Sequence, residues 1–192
     1  MKKLTILVDM DEVLDNLLEA WVSYLNEQHN MDADMENKET WSLKGLYPSL
    51  TEDEIDRPLF ENDFWKTLSP KPYSVEYLHR MIRDGHEVFI VTATHVYQTL
   101  PAKIDWLLLN YPYLSWESII TVKKKQIVMG DVLIDDAIHN LEGGHYFKIL
   151  YDCPHNRKYN AEENGMVRVN NLMEAYEVIN NLARGGKEYS HG

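Results

Sequence analysis

Short apolar runs recur along the chain, and several of them end in an acidic or hydroxyl-bearing residue. The runs cover residues 4–8, 88–91, 118–122, 132–134, 147–151 and 167–169. Runs of this length are typical of strands that are buried on both faces. Helical patterns lie between them, at about 14–25, 74–84, 101–110 and from Asn171 onward. Because strands and helices alternate, right-handed crossovers predict an α/β fold with a doubly wound, Rossmann-like parallel sheet.

One long interruption follows the first strand and its helix. From about residue 30 to residue 73 the chain is first polar and acidic and then rich in proline, so long helices cannot pass through it. Thr51–Glu54 has the form of a capping box and predicts a short helix. We interpret this stretch as a small helical cap inserted after the first strand. The predicted parts are a core of residues 1–14 and 74–184, a cap of residues 15–73 and a flexible tail of residues 185–192.

The charge of the chain limits its partners. Its 19 Lys and Arg against 31 Asp and Glu give a formal net charge of -12, so a nucleic-acid polymer would be repelled. A small phosphorylated ligand in a local electropositive pocket stays possible. No apolar stretch approaches the roughly 18 residues of a membrane-spanning helix. With Cys153 as the single cysteine, we expect a cytoplasmic protein without membrane partners, and a homodimer is compatible with the sequence.

Acidic residues follow two of the predicted strands. Asp9 and Asp11 lie two apart at the carboxyl end of the first strand, where the period of two places both on one side. Asp135 and Asp136 follow the run at 132–134. Ligands of doubly wound sheets bind beyond the carboxyl ends of the strands, so these four carboxylates are expected to meet. Such a cluster is unfavourable without a cation and predicts a Mg²⁺ site.

Two further residues suit a phosphoryl group at the same edge. Thr92 ends another strand, and Lys125 lies ten residues before Asp135. In chain order, the segments DMDEV and VTAT, a lysine and LIDD correspond to the four signature motifs of the haloacid dehalogenase phosphatases, and the chain resembles that superfamily throughout. Each motif alone is weak, but the ordered set favours an active site over chance acidic pairs.

The resemblance narrows to the cytosolic and mitochondrial 5'(3')-deoxyribonucleotidase family and runs from Leu4 to about Leu182. The segments that carry it are ILVDMDEVL, FWKTLSPKPYSVEYL, EVFIVTAT, KQIVMGDVLIDD and DCPHNR. One departure is Glu12, where the animal members carry glycine, and it bears on substrate preference more than on the chemistry. The resemblance implies a Mg²⁺-dependent phosphatase that acts on small deoxyribonucleotides through an aspartyl-phosphate intermediate.

The resemblance also implies roles for the motif residues. Asp9 would attack phosphorus, and Asp11 would act first as an acid towards the leaving nucleoside oxygen and then as a base towards water. Thr92, the Ala93 amide and Lys125 would bind the phosphoryl oxygens, where charge is stabilised in the transition state.

The metal ligands implied by the resemblance are the Asp9 carboxylate, the main-chain carbonyl of Asp11 and one of Asp135 and Asp136. Adjacent strand residues face opposite ways, so only one of the pair should bind the ion directly. We favour Asp136 as the ligand and Asp135 as an orienting group. A loop conformation at the strand end would reverse this assignment.

Aromatic residues are concentrated in the predicted cap. Members of the superfamily with a helical cap at this place close it over the leaving group, so Phe60, Phe64 and Trp65 are the base-stacking candidates. Each such stack would contribute roughly 1–3 kcal/mol and tolerates different bases. Their helical spacing is nevertheless more typical of the core of a cap than of a ligand platform.

Other polar residues near the motifs receive simpler interpretations. Lys123 and Lys124 are expected to be solvated surface residues, because only Lys125 has the motif spacing. His95 follows the second motif and is a candidate substrate contact. His155 is expected to structure the loop after a strand.

Three alternative functions fit parts of the pattern. A haloacid dehalogenase phosphatase for a sugar phosphate or phosphoglycolate would share the motifs, and the aromatic cap argues mildly against it. A Mg²⁺-binding receiver-like module also combines an acidic pair with Asp, Thr and Lys, but its acidic pair comes first, whereas Asp135 and Asp136 come last here. A non-catalytic binding protein would be expected to have lost part of the carboxylate set.

Overall fold

Strands and helices alternate in the computed structural model, which describes residues 1–94 and 96–185. The strands are β1 (Thr5–Val8), β2 (Glu87–Thr92), β3 (Ile119–Thr121), β4 (Val132–Asp135), β5 (Phe147–Tyr151) and β6 (Met166–Val169). The helices are α1 (Leu17–His29), α2 (Glu52–Asp56), α3 (Asn62–Lys66), α4 (Ser74–Arg83), α5 (Leu100–Asn110), α6 (Ile138–Leu141) and α7 (Leu172–Ala183). Apart from Gly185, the predicted tail lies outside the described residues. Within those residues, no helix has both the length and the apolar character needed to span a bilayer.

The sheet is parallel throughout, and its described part has six strands in the order β3-β2-β1-β4-β5-β6. β1 lies between β2 and β4, with Val8 beside Ile90 and Ile134. The predicted doubly wound α/β fold is therefore confirmed. The strand order changes direction between β1 and β4, so a crevice opens at the carboxyl ends of these strands.

Alternate positions of β1 point into the two halves of the core. Ile6 and Val8 lie in the larger cluster, which includes side chains of α4, α5 and α7, whereas Leu7 lies in the smaller cluster with Leu141 of α6. Fully burying one such aliphatic side chain contributes about 1.5–3 kcal/mol. Packing on both faces explains why the strands are nearly continuous aliphatic runs.

The first helix begins later than the sequence predicted. It starts at Leu17 rather than near Leu14 and continues to His29. Leu14 is fully buried, but it lies in a loop, where its N–H donates to the Met10 carbonyl at 2.8 Å and its carbonyl accepts from the Lys71 N–H at 2.9 Å. The loop therefore buries an apolar residue that matches the helical spacing by chance.

The insertion between β1 and α4 has a small apolar core of its own. The capping box predicted at the start of α2 is present, with the Thr51 side chain accepting from the Glu54 N–H at 3.2 Å. The buried members of the small core are Leu18, Val22, Leu25, Leu43, Tyr47, Leu50 and Ile55. Phe64 and Trp65 of α3 belong instead to the larger core under the sheet. The part of the insertion with a separate core is thus α1, α2 and the turns around them.

Four residues tie the two ends of the insertion together. Asp15 forms an antiparallel bridge with Pro70, and the Asn16 N–H donates to the Ser69 carbonyl at 3.1 Å. The Asn16 side chain also accepts from the Ser69 N–H at 2.7 Å. We call these four residues the neck. The chain leaves the sheet and returns to it at this one place.

Candidate active site

Lys125 lies between two carboxylates at the ends of β1 and β4. Its Nζ is 2.5 Å from Asp9 Oδ1 and 2.7 Å from Asp135 Oδ2, and only 1% of its side chain is exposed. Burial alone would lower the pKa of Lys125, but the two carboxylates raise it above its ordinary value. Lys125 therefore carries a positive charge beside Asp9, as a phosphate ligand at this position requires.

Three carboxylate groups lie close together at this end of the sheet. Asp9, Asp135 and Asp136 are buried and place carboxylate oxygens within 4.8 Å of one another. Asp135 is fixed by donation from the Ala137 N–H at 2.9 Å and from Asn140 Nδ2 at 3.1 Å. Burial and the neighbouring carboxylates raise the pKa of Asp9 to about 7 and the pKa of Asp136 well above its ordinary value. A hard divalent cation such as Mg²⁺ fits this donor set, because it would offset the repulsion.

The metal-free protein is expected to lose stability as the pH rises. The folded pKa values of Asp9 and Asp136 exceed the value of about 3.9 for an unfolded Asp, so the folded state binds more protons. Their stabilising contribution is complete below about pH 4 and is lost as the pH rises through about 7. Denaturant titration should therefore give a lower free energy of unfolding at about pH 8 than at about pH 5.5.

Saturating Mg²⁺ should stabilise the protein more at the higher of these two pH values, since the ion binds ionised carboxylates. Asp136→Asn is the matched control, because it removes one of the titrating groups and should flatten the pH dependence. A free energy of unfolding that stays constant between the two pH values in the metal-free protein would contradict the raised pKa values.

Asp11 contacts a second buried lysine, which no sequence motif marks. Lys103 of α5 is 1% exposed, and its Nζ is 2.7 Å from Asp11 Oδ2. The same Nζ lies 4.5 Å from the centroid of the Trp65 ring. The other carboxylate oxygen, Asp11 Oδ1, is buried and has no hydrogen-bond partner among the described residues. One oxygen thus fixes the carboxylate, while the second stays free for a ligand.

The end of β2 forms another side of the site. Thr92 is the last residue of β2 and is 1% exposed, with its hydroxyl 3.3 Å from the Ala93 carbonyl. Ala93 and Thr94 line the cavity next to Asp9 and Asp11, whereas Thr92 is buried. His95, predicted as a substrate contact, lies outside the described residues.

Glu12 has a backbone conformation that favours glycine. Its φ is 64°, in the left-handed region that glycine adopts without steric cost. The Glu12 carboxylate compensates by accepting from the Leu18 N–H at 2.5 Å and by pairing with Lys71 Nζ at 3.0 Å. It therefore joins the loop after β1 to the first turn of α1 and to the end of the insertion.

A cavity of about 560 Å³ opens between the strand ends and the insertion. The predicted site residues that line it from the sheet side are Asp9, Asp11, Ala93, Lys125 and Asp136. The structure thus brings the residues of all four motifs to one place. Phe60 and Trp65 line the cavity from the insertion side, together with Lys38 and Trp41.

The three aromatic residues predicted to stack on a base have different environments. Phe60 is 61% exposed and lines the cavity, and Trp65 lines it while being 4% exposed beneath Lys103. Phe64 is also 4% exposed but packs edge-on against Tyr24, with ring centroids 5.8 Å apart. Phe64 is a core residue rather than a substrate contact, because its face of α3 is turned into the protein.

Several lining residues were missed by the sequence analysis. Lys38 and Trp41 line the cavity, and Lys123, which is exposed as expected, lines it as well. His155 Nε2 lies 3.4 Å from Asp136 Oδ2, and burial, assisted by Lys38, lowers the pKa of His155 to about 4. His155 is thus neutral near pH 7 and does not offset the charge of Asp136.

Solved structures define the class of protein that has this fold. A haloacid dehalogenase-like hydrolase from Streptococcus pneumoniae matches with a TM-score of 0.58 and 11% identity, over 92% of this chain and 98% of that chain. A haloacid dehalogenase-like hydrolase from Xanthomonas campestris matches with a TM-score of 0.55 and 12% identity, over 96% of this chain and 98% of that chain. The fold is that of the haloacid dehalogenase-like hydrolases, as the four motifs predicted.

Sequence relatives define the family within this class. Residues 2–185 match the family described as "5' nucleotidase, deoxy (Pyrimidine), cytosolic type C protein". The chain is 34% identical to a 5'(3')-deoxyribonucleotidase from Bacillus subtilis, over 91% of this chain and 96% of that protein. It is 30% identical to a 5'(3')-deoxyribonucleotidase from Clostridium acetobutylicum, over 95% of this chain and 98% of that protein. The chain belongs to this nucleotidase family, whose members are phosphomonoester hydrolases, and the predicted resemblance is confirmed.

Proposed function

We propose that the protein is a Mg²⁺-dependent phosphatase that removes phosphate from deoxyribonucleoside monophosphates through an aspartyl-phosphate intermediate. The proposal rests on one observation: the Asp9 carboxylate is held against Lys125 and clusters with two further carboxylates, in a cavity that aromatic residues of the insertion also line. The relatives named 5'(3')-deoxyribonucleotidases support this substrate class.

In the first step, a carboxylate oxygen of Asp9 forms a bond to phosphorus while the bond to the leaving nucleoside oxygen breaks. Lys125 Nζ, beside Asp9, donates to a phosphoryl oxygen, and the Ala93 amide binds another. Thr92, buried at the end of β2, supports the Ala93 backbone and presents its hydroxyl to the same region. Thr92 ends β2 and Ala93 follows it, so the sheet fixes this side of the site, whereas Lys125 is held by its ion pairs with Asp9 and Asp135.

Asp9, Asp136 and the main-chain carbonyl of Asp11 would hold the metal ion. When bound there, Mg²⁺ supplies the positive charge that allows a carboxylate to approach a phosphate dianion. Asp135 would orient the site instead of ligating, since its two oxygens already accept hydrogen bonds from Lys125 and the Ala137 N–H.

Asp11 takes part in both steps of the reaction, the formation and the hydrolysis of phosphorylated Asp9. Its carboxyl group gives a proton to the departing nucleoside oxygen and later takes one from the water that attacks phosphorylated Asp9. Each such proton transfer is worth roughly 100- to 10,000-fold in rate. Oδ1 is the oxygen left for this transfer, because Oδ2 is held by Lys103 at 2.7 Å.

We infer that residues 15–73 form a cap on a core of residues 1–14 and 74–184. The separate apolar core of α1 and α2 and the neck support this division. Because α3 packs into the larger core, we assign the movement over the substrate to α1, α2 and the turns between them. Closure would exclude water from phosphorylated Asp9 until the nucleoside has left.

Phosphate release from a panel of substrates tests the proposed function. The panel contains deoxynucleoside 5'- and 3'-monophosphates, ribonucleotides, a hexose phosphate and phosphoglycolate, each with Mg²⁺ and with a chelator. We expect deoxynucleotides to give the highest kcat/KM and chelation to stop turnover. A higher kcat/KM for the hexose phosphate or phosphoglycolate would contradict the substrate class, and no turnover of any phosphoester would favour a non-catalytic protein.

Replacing Phe60 with alanine should impair the hydrolysis of nucleotides more than that of other phosphoesters. Phe60 lines the cavity and is 61% exposed, so its loss should leave the free energy of unfolding nearly unchanged. If a base stacks on it, kcat/KM for deoxynucleotides should fall roughly 5- to 150-fold, as expected for a stack worth about 1–3 kcal/mol. Hydrolysis of p-nitrophenyl phosphate, which has no base, should change far less.

Trp116→Ala is the matched control for this variant, since Trp116 is 69% exposed beside β3. The Trp116→Ala variant should hydrolyse deoxynucleotides and p-nitrophenyl phosphate as the unaltered protein does. An equal loss of activity on both substrates in Phe60→Ala would argue against base stacking.

A further inference from the structure

One segment of the insertion reaches across the cavity to the loop after β5. We call residues 36–41 the strap. Its contacts with the core are the ion pairs Glu36–Arg157 and Glu39–Lys158 and the edge-on packing of Trp41 against His139 and His155. The ion pairs are exposed and individually weak. Together with Trp41, however, they hold the strap in position, and neither ion pair uses Lys38.

Lys38 is a nearly buried cation that has no counter-ion in the part of the chain described by the structure. It is 7% exposed and lines the cavity, and its Nζ lies 5.6 Å from the centroid of the Trp41 ring. Among residues 1–94 and 96–185, Nζ has no hydrogen-bond acceptor and no ion-pair partner. Because Lys38 lines the cavity without a protein acceptor among the described residues, an anion that enters the cavity can serve as the acceptor of its ammonium group.

The local electrostatics also favour an anionic ligand. Burial lowers the pKa of Lys38, and Asp136, which is within electrostatic range, acts in the opposite direction. A divalent cation on Asp136 would take up this negative charge. The positive charge of Lys38, which lines the cavity, would then be available to an anionic ligand.

Two other buried lysines of the site and the half-buried Lys71 are already paired. Lys103 Nζ is 2.7 Å from Asp11, and Lys71 Nζ is 3.0 Å from Glu12. Lys125 is shared between Asp9 and Asp135. A phosphate dianion beside three carboxylates would carry more negative charge than Lys125 and one divalent cation offset. A further positive charge at this place would therefore strengthen phosphate binding, and of the two remaining lysines that line the cavity Lys38 is buried whereas Lys123 is exposed.

We propose that Lys38 donates to a phosphoryl oxygen of the substrate, so that the insertion supplies a phosphate ligand in addition to those at the strand ends. This inference rests on the proposed function, because it takes the cavity to be the site of a phosphoester. It also links the strap to the chemistry, since the position of the strap sets the distance from Lys38 to the phosphoryl group.

Direct binding of inorganic phosphate tests the inference. Calorimetry at saturating Mg²⁺ would give the Kd of phosphate for the unaltered protein, Lys38→Met, Lys38→Arg and Lys66→Met. Lys66 is the matched control, because it is an exposed lysine of the insertion paired with Asp63. We expect Lys38→Met to raise the Kd roughly 10- to 100-fold, the range for a hydrogen bond between charged groups. Lys38→Arg should recover most of the affinity, and Lys66→Met should bind as the unaltered protein does.

Steady-state kinetics provide the second measurement. Lys38→Met should raise KM for p-nitrophenyl phosphate and for deoxynucleotides by similar factors, since the phosphoryl group is common to both. A raised KM for deoxynucleotides alone, with an unchanged phosphate Kd, would place Lys38 at the nucleoside and overturn the inference. So would an unchanged Kd with tighter Mg²⁺ binding, which would make Lys38 only a counter-charge for Asp136. If the unaltered protein neither binds phosphate nor hydrolyses any phosphoester, the proposed function fails together with the inference.

Discussion

Replacing Asp9 with asparagine is expected to lower kcat by at least roughly 10⁴-fold, because the amide oxygen cannot form the covalent bond to phosphorus. The fold should survive, because the Met10 N–H donates to Asp9 Oδ1 at 2.8 Å in the unaltered protein, and Asn keeps an oxygen that can accept this hydrogen bond. Losing the charge also removes a carboxylate whose pKa is raised to about 7 by burial and by Asp135. The metal-free variant should therefore be at least as stable as the unaltered protein above pH 7.

Two measurements separate loss of the nucleophile from a general defect. Acid-quenched reactions with labelled substrate should leave label on the unaltered protein and none on Asp9→Asn. Asp105→Asn is the matched control, because Asp105 is exposed on α5, and it should keep both turnover and labelling. Turnover within tenfold of the unaltered protein in Asp9→Asn, confirmed in Asp9→Ala, would refute the covalent route.

Removing the buried positive charge at Lys125 should have the largest effect on stability. In the unaltered protein, Lys125 Nζ is 2.5 Å from the Asp9 carboxylate and 2.7 Å from that of Asp135. Lys125→Met leaves both carboxylates without this counter-ion. Breaking a buried ion pair from one side costs about 3–5 kcal/mol, and denaturant titration of the metal-free protein should show a loss of this size. Activity should fall as well, because one phosphate donor is lost.

The double variant Lys125→Met with Asp135→Asn identifies the cause of the destabilisation. It removes the unpaired charge on Asp135 and should recover a large part of the lost free energy of unfolding. Saturating Mg²⁺ should also recover part of it in the single variant, since the ion would neutralise Asp9. Equal destabilisation in the single and double variants would show that lost packing, rather than charge, is responsible.

The sequence predicted the positions at strand ends well. Asp9 follows β1, and Thr92 and Asp135 end β2 and β4; in a parallel sheet the carboxyl ends of neighbouring strands meet at one edge whatever the loops do. Because β1 lies between β2 and β4, these three residues converge. The spacing of Lys125 from Asp135 also predicted the central lysine.

The sequence could not predict residues whose place depends on packing between distant elements. Lys103 is one polar residue in the largely apolar helix α5, and it reaches Asp11 only because α5 packs against α3. Lys38 lies in a polar stretch without periodicity, so nothing distinguished it from the other charged residues there. Helical spacing also grouped Phe60 with Phe64, although only the first lines the cavity, because Phe60 ends a separate 3-10 turn (Arg57–Phe60) before α3 begins.

The neck has a consequence for how this enzyme can change. Asp15 and Pro70 bridge the base of the insertion, so the two ends of that long loop are held together by local contacts. Doubling the length of a flexible loop costs only about 0.6 kcal/mol in closure entropy. Residues can therefore be gained or lost beyond the neck without shifting β1 or the carboxylates that follow it. Substrate range can diverge through the insertion while the hydrolytic machinery stays as it is.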